Sequence, residues 1–180
     1  MGVGTKHPPI SVKKVCIPGA ACERLYLEAL SLTNEFEFER VYCHVGTNLL
    51  DQLEEHEVVA EISDFLAGIK DIFNCPVTFS PILPRLRPFD TRNPHLPISK
   101  LTVDILWSIR RINAALYIFC EQNRFDLLVC EPFVMDLADP CPDRALLALD
   151  GCHLSHKGVS MMQKSLYEHL GISFWEWHGN

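Results

Sequence analysis

Apolar positions along this chain fall in blocks whose period switches between strand-like and helix-like. Val12 to Ile17 is a short β-branched run ended by Pro18-Gly19, the pattern of a strand and then a turn. Glu23 to Leu32 carries Leu25, Leu27, Ala29, Leu30 and Leu32 behind an early acid, which suits a helix. Val41 to Val45 is a second apolar run, closed by Gly46-Thr47-Asn48. From Asp51 a long helical pattern follows, with Leu53, Val58, Val59, Ile62, Phe65, Leu66, Ile69 and Phe73 on one face. Cys75-Pro76 breaks it, and Val77 to Ser80 reads as a third strand. The proline-rich stretch from Pro81 to Pro97 reads as a long loop. Thr102 to Asn123 is the second long helix, with Ile105, Leu106, Ile109, Ile112, Leu116 and Phe119 as its buried stripe. Asp126 to Cys130 reads as a fourth strand, Glu131 to Asp143 as a loop, and His156 to Leu170 as the last helix.

Apolar strands that alternate with helices imply βαβ units and a doubly wound α/β fold around a parallel sheet. Right-handed crossovers then bring every strand-to-helix loop to one edge of that sheet. Gly19, Asn48, Ser80 and Glu131 each follow a strand and so share it. No linker or repeat divides the chain. It reads as an irregular lead-in over 1–11, one domain over 12–172, and a C-terminal tail over 173–180 carrying Phe174, Trp175 and Trp177.

Composition narrows the function. The 180 residues suffice for one domain with a real core, and 48% hydrophobic with 22% charged residues is a globular balance. A net charge of −7 argues against nucleic acid as a partner. The local basic groups Lys13-Lys14, Arg85/Arg87 and Arg110-Arg111 read as solvated faces. No apolar run is long enough to span a membrane, and Met1 to Ser11 has no signal-peptide h-region. Of the eight cysteines, Cys16, Cys43, Cys75, Cys120 and Cys130 lie in or beside apolar runs, and no Cys-x-x-Cys occurs. A reduced, cytoplasmic protein is the expectation.

The candidate chemistry centres on Asp150-Gly151-Cys152-His153-Leu154-Ser155, just ahead of the last helix. A histidine base needs a carboxylate that fixes its tautomer and stabilises its charged form. Asp150 stands three residues from His153. Cys16-Ile17-Pro18-Gly19-Ala20 and His44-Val45-Gly46-Thr47-Asn48 fall on the same predicted edge, in the same chain order. Together these blocks resemble the SGNH hydrolase superfamily, the GDSL-type lipases and esterases. Ser80 to Arg85 and Arg111-Ile112-Asn113 are lesser matches, and the resemblance runs from about Val12 to Leu170.

That resemblance implies a three-layer α/β/α, flavodoxin-like parallel sheet. It implies that His153 is the general base and Asp150 its orienting carboxylate. The Gly19 backbone N–H and the Asn48 amide would be two of three oxyanion donors. The ligand it implies is a small ester or acyl group, with no cofactor and no metal. A metal set of Cys141, Cys152, His153 and His156 lacks any recognised spacing.

The departure lies in the nucleophile. The family supplies it from a Gly-Asp-Ser block on its first strand, and no Gly-Asp-Ser occurs in this sequence. The eleven residues ahead of Val12 are too few for that strand, its helix and the return loop, so the first strand is expected to be missing. The nucleophile is left unassigned. Ser80 falls on a different strand from the family's serine, and Cys22, near a helix start that would lower its pKa, is the other substitute. Ser155 is expected to cap the last helix. The expectation is an esterase-like domain, inactive alone. The alternative is a non-catalytic ligand- or protein-binding module that keeps the pocket. Domains of this type also occur in proteins of some animal retrotransposons, and the resemblance allows such an origin. An unpaired sheet edge at the missing strand would invite association.

Overall fold

A computed structural model describes residues 11–17, 19–86, 100–130, 133 and 143–171, with backbone alone for 100–102. Three parallel strands form the sheet in the order β1-β2-β3, with β1 Val41–His44, β2 Val77–Ser80 and β3 Asp126–Leu127. Val41 pairs with Val77 and His44 with Ser80; Thr78 pairs with Asp126. Four α-helices accompany the strands among the described residues: α1 Cys22–Leu32, α2 Glu55–Phe73, α3 Lys100–Asn123 and α4 His156–His169.

One face of the sheet carries most of the core. Val58, Ile62, Phe65, Leu66 and Ile69 of α2 are buried at the spacing the sequence predicts. They meet Ile109, Ile112 and Leu116 of α3 and Val77 and Phe79 of β2 in one cluster. The start of α2 is fixed by Glu57, whose carboxylate accepts the Glu54 backbone N–H at 2.9 Å. Its end is fixed by Asn74, which takes the left-handed conformation at φ 47°. Successive strand residues alternate faces. On the other face, the Cys130 thiol lies 3.2 Å from the Ser165 hydroxyl of α4. A smaller cluster of Cys130, Phe133 and Leu146 holds Met161 and Met162 of α4 there. The three-layer α/β/α arrangement is therefore present.

Several elements differ from the sequence reading. Residues 11–17 are not a strand: they make no ladder and 11–16 are exposed, with Val12 56% and Val15 39% accessible. A β-branched run stays unpaired when no neighbouring strand offers a ladder, and β1 is hydrogen-bonded only to β2 among the described residues. Among the described residues, the other edge of β1 carries no strand. Asp51 ends a 3₁₀ turn, Thr47–Asp51, and α2 begins at Glu55. β3 is two residues long, although the Leu128 N–H still donates to Phe79 O at 2.9 Å. The 1–10 lead-in, most of the Pro81–Pro97 and Glu131–Asp143 loops, and the aromatic tail lie outside the described residues.

Candidate active site

The loop between β3 and α4 folds back on itself and presents Asp150 and His153 at its tip. Leu147 and Leu154 form an antiparallel bridge, and Ala148 N–H donates to His153 O at 2.8 Å. Within the tip, Asp150 Oδ1 accepts the backbone N–H groups of Cys152 at 2.9 Å and His153 at 3.0 Å. Its Oδ2 lies 2.7 Å from His153 Nδ1. Partial burial pushes the Asp150 pKa up, but the His153 side-chain and backbone hydrogen bonds and that from Cys152 outweigh it and bring it down to about 2. With Nδ1–H donated to the carboxylate, the neutral imidazole presents Nε2 as its basic nitrogen.

α4 anchors this loop from below. Ser155 caps the helix by accepting Gly158 N–H at 3.1 Å, and it donates to Ala145 O at 2.6 Å. Gly158 presses on the turn at 144–146 so closely that a Cβ there would stand 2.1 Å from Leu146 O. Lys157 adds an exposed pair with Asp143 at 3.1 Å.

The Gly19 and Asn48 blocks meet each other. Gly46 adopts φ 109°, where a side chain is strained, and a Cβ there would come 2.6 Å from Ile62 Cδ1. That glycine turns the chain out of β1 into the 3₁₀ segment bearing Asn48. Asn48 Nδ2 donates to Ala20 O at 3.4 Å, next to Gly19 with its φ of 70°. An amide nitrogen has two N–H groups, so one remains beyond this bond.

A residue the sequence reading placed on a solvated face joins the blocks. Arg85 is only 1% exposed, and its guanidinium grips Asp51 in a bidentate pair at 2.6 and 2.9 Å. Asp51 ends the segment that carries Asn48. The next residue, Leu86, donates its N–H to Gly151 O at 2.7 Å, inside the Asp150–His153 loop. The β2 loop is thus a clasp between the two halves. Asn113 of α3 holds that loop in turn, accepting Ile82 N–H at 3.0 Å and donating to Ile82 O at 2.9 Å. Among the described residues no hydrogen bond runs directly from His153 to Asn48 or Gly19. The signal for the clasp was Arg85, set between Leu83-Pro84 and Leu86, with one unassigned acid at Asp51.

The substitute nucleophiles fare poorly. Cys22 begins α1, yet it is 4% exposed, and burial followed by the Glu61 charge pushes its thiol up to about 12. Desolvation outweighs the helix terminus there, which corrects the expectation of a lowered pKa. Ser80 is 1% exposed and its Oγ lies 3.2 Å from His44 Nδ1. Burial pushes the His44 pKa down to about 4, and a hydrogen bond with Ser80 partly offsets the shift. The dyad itself is open: the side chains of His153 and Asp150 are 69% and 48% accessible. Cys141, part of the rejected metal set, lies outside the described residues.

Comparison with solved structures places this arrangement in a fold. The chain aligns with a GDSL-like lipase from Bacteroides thetaiotaomicron at TM-score 0.64 and 16% identity, over 85% of this chain and 72% of that one. It aligns with a protein from Bacteroides fragilis assigned as an acylhydrolase at TM-score 0.65 and 13% identity, over 85% and 71%. No family sequence model matches the chain, and no curated protein matches it in sequence. The fold is therefore SGNH-hydrolase-like, as the sequence blocks imply.

Proposed function

We propose that this chain is an SGNH-type esterase-like domain that keeps the base half of an acyl-transfer site and has no nucleophile of its own. The observation that carries the reading is the 2.7 Å contact between His153 Nδ1 and Asp150 Oδ2, held at a loop tip that the Leu86–Gly151 bond ties to the carboxyl end of β2. In such a site His153 Nε2 takes the proton of an attacking hydroxyl, and Asp150 stabilises the resulting imidazolium. The Gly19 N–H and the remaining Asn48 N–H are the donors for a tetrahedral oxyanion, each typically worth about 10²–10³ in rate. A serine is still required, and the described serine that is hydrogen-bonded to a histidine, Ser80, is only 1% exposed.

The consequence is a domain with little or no hydrolysis on its own, able to hold an ester, carboxylate or acyl group by its donors. β1, bonded on one side only among the described residues, is where a further strand would add, and association through that edge belongs to the same reading. The seven described cysteines are free thiols, which fits a reducing, cytoplasmic location. Among the described residues, no helix is long and apolar enough to cross a membrane. Purified chain incubated with p-nitrophenyl acetate tests the reading: hydrolysis should not exceed that of His153→Ala. Turnover abolished by that substitution would reject it.

A further inference from the structure

Beyond the Asp150–His153 loop, a second concavity opens at the carboxyl ends of β2 and β3, against α3. It encloses about 250 Å³, below the usual size of a drug-sized pocket, so its occupant is small. Ile82, Leu83, Ala114, Leu128 and Phe133 make most of its wall. Among its described lining residues Arg110 alone carries a formal charge, and no acid lies among them. This is unusual in a chain of net charge −7.

Arg110 is also without an ion-pair partner among the described residues. Its neighbour Arg111 pairs with Glu55, whereas Arg110 stacks over the Trp107 ring, with Cζ 5.1 Å from the centroid. Its Nη1 is buried and makes no hydrogen bond. A buried guanidinium donor without an acceptor is costly, and an anion is the group that removes the cost. Two other polar side chains of the wall are already used, and Tyr117 also lines it. Asn113 is spent on both backbone groups of Ile82, which also keeps that wall preformed, and the Ser80 hydroxyl is engaged with His44. Charge recognition therefore falls to Arg110, and the apolar side chains of the wall are suited to hydrocarbon.

We infer that this cleft binds a small organic carboxylate with a short aliphatic tail, its carboxylate paired with the Arg110 guanidinium and its tail against Ile82, Leu128 and Phe133. The inference stands apart from the esterase reading, because neither Asp150 nor His153 is among the described lining residues of the cleft.

Titrating the purified chain with hexanoate, followed by calorimetry or by the Trp107 indole resonance, tests it. Saturable binding is expected, at least tenfold weaker for the neutral analogue hexanamide. Arg110→Gln should weaken hexanoate at least tenfold while leaving thermal unfolding within a few degrees. Ala114→Leu, which narrows the cleft and keeps the charge, should also weaken it. No saturable hexanoate binding by the wild-type chain, or equal binding by Arg110→Gln, would overturn the proposal and leave Arg110 a stacking partner of Trp107 only.

Discussion

Asp150 holds His153 through both its oxygens, Oδ1 on the backbone N–H at 3.0 Å and Oδ2 on Nδ1 at 2.7 Å. One carboxylate thereby sets both the loop conformation and the ring orientation. A contact of this kind between exposed side chains contributes little to global stability. Its effect is on the orientation and protonation of the two groups.

The Asp150 carboxyl should therefore titrate near 2, well below its ordinary 3.8. Because the folded pKa is depressed, the associated stabilisation is present above pH about 4 and is lost as pH falls toward 2. Carbon-13 titration of the carboxyl carbon measures this directly. In His153→Ala the midpoint should rise toward the ordinary value. An unshifted midpoint in the wild-type chain would mean that the contact does not persist in solution.

The Asp51–Arg85 pair should matter far more for folding. Removing Asp51 takes the bidentate acceptor away from a guanidinium that is only 1% exposed. Asp51→Ala should cost about 3 kcal/mol in denaturant unfolding. The double variant Asp51→Leu/Arg85→Met should lose less than Asp51→Ala alone, since the buried Arg85 charge then disappears together with its counter-charge. A cost for Asp51→Ala within about 0.5 kcal/mol, the range of ordinary surface substitutions, would show that the pair is not the clasp described.

Gly158→Ala should destabilise by about 2 kcal/mol through overpacking against Leu146 O, a backbone atom that cannot rotate away. The same strain should shift the backbone amide resonances of residues 146–155, because α4 and that loop share the contact. Gly171→Ala is the control for glycine replacement in general, with nothing within 4 Å of its Cβ position but a positive φ of its own. Loop shifts of equal size in both variants would contradict the packing account.

Much of this was legible in the sequence because period and punctuation are local. The stripe Val58-Ile62-Phe65-Ile69 and the break at Cys75-Pro76 specify α2 and β2 without reference to the rest of the chain. The Asp-x-x-His block and the Ser155 cap are also local patterns. What the sequence hid depended on distant partners. Val12–Ile17 has strand composition, but a strand needs a neighbour, and no residue type reports its absence. Arg85 looked solvated because its acid, Asp51, lies thirty-four positions away and folds over it only in three dimensions. Cys22 was misjudged for a similar reason: the helix start is visible in the sequence, while the burial that overrides it is not.

The central claim is that the base pair is present without a nucleophile. Intact-mass spectrometry after exposure to a fluorophosphonate probe tests it most directly, because such probes attach to serines activated by a neighbouring base. The account predicts unmodified mass, identical for wild-type chain and His153→Ala. A stoichiometric adduct on any serine, absent from His153→Ala, would contradict it.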